Sequence, residues 1–236
     1  MMSGSATASW ALVEDPVHYA VQLAAHLNCS VPRNMLQRHA DIVGCLRAKP
    51  LQDLYAVELK APSFLIAMGP LRDGILIPSD FGTTVVSVGK RSVAQTFRVI
   101  LGVSDNEVRE LFSEGQLREG VSSQESNRLL RTLVRNTYTY HLNEIYYTVQ
   151  NEYTDLANQE ISPRETRRLV SSALSDKLYI SPVLEAAAWC NESGYPTYRS
   201  QGIRKSYNLL VRLEFEIKLE PLLLPSAATT AATTLF

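Results

Sequence analysis

Residues 97–103, with the sequence FRVILGV, constrain the fold more than any other segment of the chain. The run is short, apolar and dense in β-branched side chains, which is typical of a strand covered on both faces in a parallel sheet. Residues 104–107, SDNE, follow it as a polar loop. In open α/β sheets, ligands and chemistry collect at such carboxyl ends of strands. The run therefore predicts an α/β fold with parallel neighbours for this strand and helices across its faces.

Helical patterns precede this strand. Residues 15–27 begin with Asp15 as an N-cap and Pro16 at the first helical position, and their apolar residues follow helical spacing. A second, weaker helical pattern follows Ser30 and ends at Pro50.

Further helical patterns follow the strand. Residues 124–150 predict either one long helix or a broken pair of helices. Pro163 opens the next helix, and the spacing gives that helix one apolar side. The side consists of Leu169, Val170, Ala173 and Leu174.

Two other regions have extended patterns. Residues 63–70 and 74–78 are short apolar runs bounded by glycine and proline, so they predict extended segments around a turn at 71–74. Residues 211–219 alternate between apolar and charged side chains, the pattern of a strand with one exposed face. Residues 226–236 are of low complexity and predict disorder.

Composition excludes several classes of function. The chain has 236 residues, with 23 basic against 24 acidic side chains, so it has no general positive charge for nucleic acid or anionic membranes. The sequence has no secretory signal pattern, and no apolar run approaches the length of a membrane span. The histidines do not have the spacing of a metal site, and we expect structural roles for them. They are His18, His26, His39 and His141.

The three cysteines and two glycosylation sequons concern the cellular compartment. Cys29, Cys45 and Cys190 are an odd number, which allows one internal disulfide at most and leaves one thiol over. A bridge between Cys29 and Cys45 would close a loop of about 17 residues, worth on the order of 3 kcal/mol. Asn28 and Asn191 begin N-x-S sequons, which are used only in exported proteins.

Several motifs, taken in order, resemble the type-B carboxylesterase and cholinesterase family of α/β-hydrolases, and within it the neuroligins. The resemblance covers about residues 3–198, and residues 134–155 are especially similar to neuroligins of invertebrates. The motifs are SGSATASWAL, LNC…CLRAKPLQDL, MGPLRDGILIP, ILGVSDNEV, VRNTYTYHLNEIYYTVQNEYTD and LSDKLYISPV.

The resemblance implies an incomplete, helix-rich α/β-hydrolase domain over residues 1–198, followed by a non-homologous and partly disordered extension over 199–236. We expect the polar residues 199–202 to interrupt the family's strand after Tyr198. It implies a disulfide between Cys29 and Cys45. It also implies a dimer helix after Pro163, so that the apolar side formed by Leu169, Val170, Ala173 and Leu174 would give weak homodimers. The subfamily consists of single-pass glycoproteins of the cell surface that act in synaptic adhesion.

The same comparison argues against catalysis. A hydrolase of this family needs a G-x-S-x-G nucleophile elbow, an acid and a histidine. The sequence contains no G-x-S-x-G, and after Tyr198 it no longer matches the segment that carries the family's histidine. Only the acid position is matched, by Glu107. We therefore expect no catalytic residues, no cofactor and no metal site. The alternative interpretation is a fragment of an active carboxylesterase, or an intracellular remnant without function.

The partner that the resemblance implies is a neurexin-like receptor, bound with calcium. In the subfamily an acidic residue and an asparagine precede the strand, and the matching positions are Arg98 and Thr96. A cation in place of an acidic ligand opposes a calcium-mediated contact. We therefore expect neurexin binding to be impaired.

Overall fold

The structure is a computed structural model, and it describes residues 2–3, 7–31, 35–78, 98–104, 107–154, 161–202 and 217–221. The first two helices of the chain lie at the residues where their patterns predict them. Helix α1 begins after Asp15, whose carboxylate accepts the N–H of His18 at 3.1 Å. A short third helix, which the sequence patterns do not predict, follows Pro50. The bounds are α1 Pro16–His26, α2 Met35–Arg47 and α3 Leu51–Ala56.

The helices after the central strand each begin at a serine whose hydroxyl accepts a backbone N–H, except α6 and α8. The predicted pattern at 124–150 is a broken pair, because residues 138–141 leave the helix and His141 adopts a left-handed φ of 48°. The bounds are α4 Glu114–Glu119, α5 Ser123–Thr137, α6 Leu142–Glu152, α7 Pro163–Ser175 and α8 Ser181–Glu192.

A π-helical turn, Asp176–Ile180, joins α7 to α8 without a break in the helical path. Pro182 has no N–H to donate to the carbonyl of Leu178, four residues before it. The indole N–H of Trp10 donates to that oxygen at 2.9 Å. The segment before α1 thus contacts the backbone of the π turn directly.

The sheet in the described part of the chain has the order β1-β2-β3-β4. The central strand β2 lies between two parallel neighbours, as residues 97–103 predict. Strand β4 pairs antiparallel with β3 at the edge. The bounds are β1 Met2–Ser3, β2 Val99–Ser104, β3 Thr197–Gly202 and β4 Ile217–Pro221.

Two sequence expectations are wrong. Strand β3 pairs with β2 in register from Thr197 through Gly202, so residues 199–202 do not interrupt it after Tyr198. The two runs predicted as extended are not strands: residues 63–70 contain a turn at 63–64 and bends at 67–69, and residues 74–77 are bends. In the second run the Asp73 carboxylate accepts the N–H groups of residues 75, 76 and 77 at 2.9–3.0 Å. The alternating pattern at 211–219 is described only from Ile217, and residues 226–236 lie outside the described residues.

The core has a helical part and a sheet part. The helical part lies between α5, α6 and α7 and includes Leu133, Val134, Val170 and Leu174, each no more than 2% exposed. The sheet part consists of Leu101 and Val103 from β2 packed against Val183 and Ala187 from α8. The half-buried ring of Tyr179, in the π turn, packs against both.

Candidate functional site at the end of the parallel strands

Glu107 lies just beyond the carboxyl end of β2, at the position that the sequence indicates for the acid. Its Oε1 accepts the backbone N–H of Ser104 at 2.8 Å, and its side chain is half-buried. The carboxylate thus binds the backbone of the last residue of its own strand.

The surroundings of Glu107 include a phenol. Burial raises the pKa of Tyr179, and the negative charges of Glu107 and Glu110 raise it further. The ring of Tyr179 lies 5.3 Å from that of Trp10, centroid to centroid. A phenol with a raised pKa stays protonated at neutral pH, so it offers a hydrogen-bond donor and no base.

A triad acid has to orient an imidazole. Among the described residues, no hydrogen bond joins Glu107 to a histidine. His18 interacts with Gln22 at 2.9 Å, and exposed His141 lies 4.0 Å from Glu144 on the same short segment. In the described ranges, no group of three His, Cys, Asp or Glu side chains is arranged to hold a metal ion.

Cys29 and Cys45 form a disulfide, the pairing that the resemblance implies, with their Cα atoms 5.9 Å apart. Together with Ala24 and Ile42 they form a small apolar cluster between α1 and α2. Cys190 is a free, half-buried thiol whose pKa burial raises. A raised thiol pKa lowers the fraction of reactive thiolate.

The two sequons differ in exposure. Asn28 is exposed and adopts a left-handed φ of 54° in the turn that ends α1. Asn191 is half-buried in the last turn of α8. Ser193, which completes its sequon, is 5% exposed, and its Oγ has no hydrogen-bond partner among the described residues.

The predicted dimer surface on α7 lies inside the molecule. Val170, Ala173 and Leu174 are 1%, 3% and 0% exposed and belong to the helical core, while Leu169 is half-buried. The part of this face that is covered by α4 and α5 cannot also cover a second chain. Val170, Ala173 and Leu174 are therefore core residues, and the expectation of a dimer interface on them needs correction.

The two remaining predicted positions, Arg98 and Thr96, belong to the expected contact with a neurexin-like partner. Arg98 precedes β2 directly and is exposed. Thr96 lies outside the described residues. Among the helices of the described ranges, none is long and apolar enough to cross a bilayer.

Two features of this region were missed by the sequence analysis. One is the bond from Trp10 to the π turn, for which the available signal was a proline inside a helical pattern at Pro182. The other is the parallel pairing of Met2–Ser3 with Leu101–Gly102, for which two residues give no pattern.

The chain is similar to known proteins of one family. A family model described as the carboxylesterase family matches residues 1–205, which extends past the boundary predicted at residue 198.

Curated relatives match most of this chain but little of their own length. Neuroligin-1 of Caenorhabditis elegans is 34% identical over 191 residues, which are 78% of this chain and 24% of that protein. Neuroligin-3 of Mus musculus is 28% identical over 202 residues, 84% of this chain and 23% of that protein. Neuroligin-2 of Homo sapiens is 24% identical over 199 residues, with 83% and 23% covered. The chain spans about a quarter of the length of these relatives.

Proposed function

Since the chain belongs to the carboxylesterase family, and its relatives above are neuroligins, we propose that it is a non-catalytic, cholinesterase-like segment of a cell-adhesion protein. In this function the hydrolase-type fold is a scaffold that acts through its surface. A fold of this kind does not by itself imply hydrolysis, because function depends on the site that it carries.

One observation carries the proposal: Glu107, at the acid position, binds the backbone N–H of Ser104. In a triad, the acid holds an imidazole that activates a serine. The chain has no G-x-S-x-G to supply that serine. A carboxylate without a nucleophile and a base stabilises the loop but does not cleave an ester.

The disulfide supports an extracellular location. Disulfides persist in secreted and cell-surface proteins, where thiols are not kept reduced. We therefore propose that Cys29–Cys45 forms in an oxidising compartment and that exposed Asn28 carries a glycan there.

A neurexin-like receptor is the partner class that the subfamily suggests. The exposed guanidinium of Arg98, directly before β2, opposes a calcium-mediated contact there, because it repels the ion and supplies no ligand oxygen. We propose that adhesion by this chain uses surface complementarity that depends little on calcium.

The catalytic half of the proposal is tested by incubating the purified chain with p-nitrophenyl acetate. We expect no turnover above a heat-denatured control, and the same result for Glu107→Gln. Turnover that Glu107→Gln abolishes would mean that the chain is an esterase and that the proposal is wrong.

The partner half is tested by capture of a neurexin ectodomain on beads, with calcium or with a chelator. We expect weak capture that a chelator leaves unchanged. Arg98→Asp should add a calcium-dependent component, whereas Arg72→Asp, an equally exposed control, should not. Strong calcium-dependent capture by the unaltered chain would contradict the role given to Arg98.

A further inference from the structure

Three arginines lie on one face of α5. Arg128, Arg131 and Arg135 have the spacing i, i+3, i+7, which places them within one stripe about 10.5 Å long at 1.5 Å of rise per residue. With residues of α6 they line a groove of about 670 Å3. We call this groove, defined by the three arginines and Tyr146, the arginine groove.

Its charge is only partly balanced locally, by the Glu125 carboxylate, which attracts the guanidinium of Arg128 one turn further along α5. Among the described residues that line the groove, none is acidic. On the first turns of α5 and α6, Glu125 accepts the N–H and O–H of Ser122, and Glu144 lies 4.0 Å from His141. The formal charge of the whole chain is -1, so this concentration of positive charge is a local feature.

The groove is also partly preorganised. The guanidinium of Arg131 lies 4.2 Å over the ring of Tyr146, a cation–π contact that holds the side chain in place. Leu142, which is 37% exposed, adds an apolar side chain to the lining, whereas Val134 is buried in the core. Polar amides complete the lining, from Gln124, Asn127 and Asn143.

We propose that the arginine groove binds an acidic polypeptide segment in an extended conformation. The planar guanidinium fork matches a carboxylate with two parallel hydrogen bonds. In an extended segment, side chains on one side recur about every 6.7 Å, so two carboxylates fit along the stripe. The amides offer partners for a peptide backbone, and the apolar lining offers contact for the intervening side chains.

A sulfated polysaccharide or a nucleic acid would pair with the arginines but would leave the exposed side chain of Leu142 without apolar contact. The combination of charge and apolar lining favours a peptide. The proposal goes beyond the adhesion function because it does not depend on the identity of the receptor.

The test uses the full chain and a short fluorescent peptide of alternating glutamate and valine, with fluorescence anisotropy as the readout. The double variant Arg128→Gln, Arg135→Gln leaves the Arg131–Tyr146 contact in place. The matched control is Arg47→Gln, Arg72→Gln, which removes the same charge from two exposed positions elsewhere. Circular dichroism of both variants verifies that α5 is intact.

We expect the groove variant to weaken binding by roughly tenfold or more and the control to change it by less than about twofold. A peptide of alternating glutamine and valine should not bind. The proposal fails if both variants lose affinity equally, if the glutamine peptide binds as well, or if heparin or inorganic triphosphate binds the groove and the glutamate peptide does not.

Discussion

Trp10 donates to a carbonyl that Pro182, far from it in the sequence, cannot reach with a hydrogen bond. Pro182 cannot donate to the oxygen of Leu178, and the indole N–H of Trp10 donates there at 2.9 Å. Nearby, the hydroxyl of Thr7 donates to the carbonyl of Pro182 at 3.3 Å. The residues that resemble the family's SGSATASWAL motif thus satisfy backbone groups that the π turn and its proline leave available.

Trp10→Phe should lower the free energy of unfolding by about 1–3 kcal/mol, since it removes the donor and leaves a half-buried carbonyl without it. In a Pro182→Ala background a backbone N–H is restored at position 182, so the same substitution should cost less. Urea unfolding of the four proteins measures this coupling. An equal cost in both backgrounds would mean that packing of the indole ring, and not its N–H, stabilises the bulge.

At the scale of the elements, the end of α4 lies against the start of α7 at a glycine. Gly120 ends α4 with a φ of 104°, and the next residue, Val121, donates its N–H to the carbonyl of Pro163 at 2.8 Å. A Cβ at Gly120 would collide with the backbone of Pro163 and Arg164. The close approach of the two helix ends therefore requires glycine.

Gly120→Ala should destabilise the chain by more than about 2 kcal/mol, because the left-handed φ and the collision act together. Gly115→Ala, inside α4, is the matched control, since its added Cβ would meet only the Ser113 hydroxyl at 4.0 Å. The control should be neutral or stabilising by about 0.5–1 kcal/mol. Thermal melts of both variants check this, and similar losses in the two would refute the role of the close approach.

The elements that the sequence predicts correctly are those whose signals are local. Asp15 and Pro16 define the start of α1, and the apolar run at 97–103 predicts β2 as a parallel strand, because both patterns are contained in a few residues. Strand β3 was expected to end at Tyr198 because residues 199–202 are polar and glycine-containing. Pairing with β2 and β4 on its two sides overrides that local signal.

The sequence predicts where the candidate site lies but not which groups its side chains contact. The strand-end loop places Glu107 where the sequence indicates it, yet its bond to Ser104 depends on the path of the turn. The sequence correctly predicts an apolar side on α7, but periodicity does not show whether Leu174 faces its own core or a second chain. Packing of α7 against α4 and α5 decides this.

At the scale of the whole molecule, one hydrogen-bonded loop exposes large apolar side chains to water. Ile75 and Leu76 are each 85% exposed, and Met68 is 70% exposed. The loop is not free to fold these side chains inward, because the Asp73 carboxylate accepts three consecutive backbone N–H groups. These hydrogen bonds also lower the pKa of Asp73, so the carboxylate remains ionised at neutral pH.

We expect the isolated chain to self-associate, and this loop to contribute most to it, because contiguous exposed apolar side chains promote contacts between molecules. The double variant Ile75→Thr, Leu76→Gln should raise the concentration at which light scattering appears by roughly tenfold, since burying each side chain is worth about 1.5–3 kcal/mol. Val17→Thr, Leu51→Gln removes two other exposed apolar side chains on helices and should have a smaller effect. If both double variants scatter light as the unaltered chain does, association must instead arise at the sheet, where, among the described residues, β1 pairs with residues 101 and 102 of β2 alone.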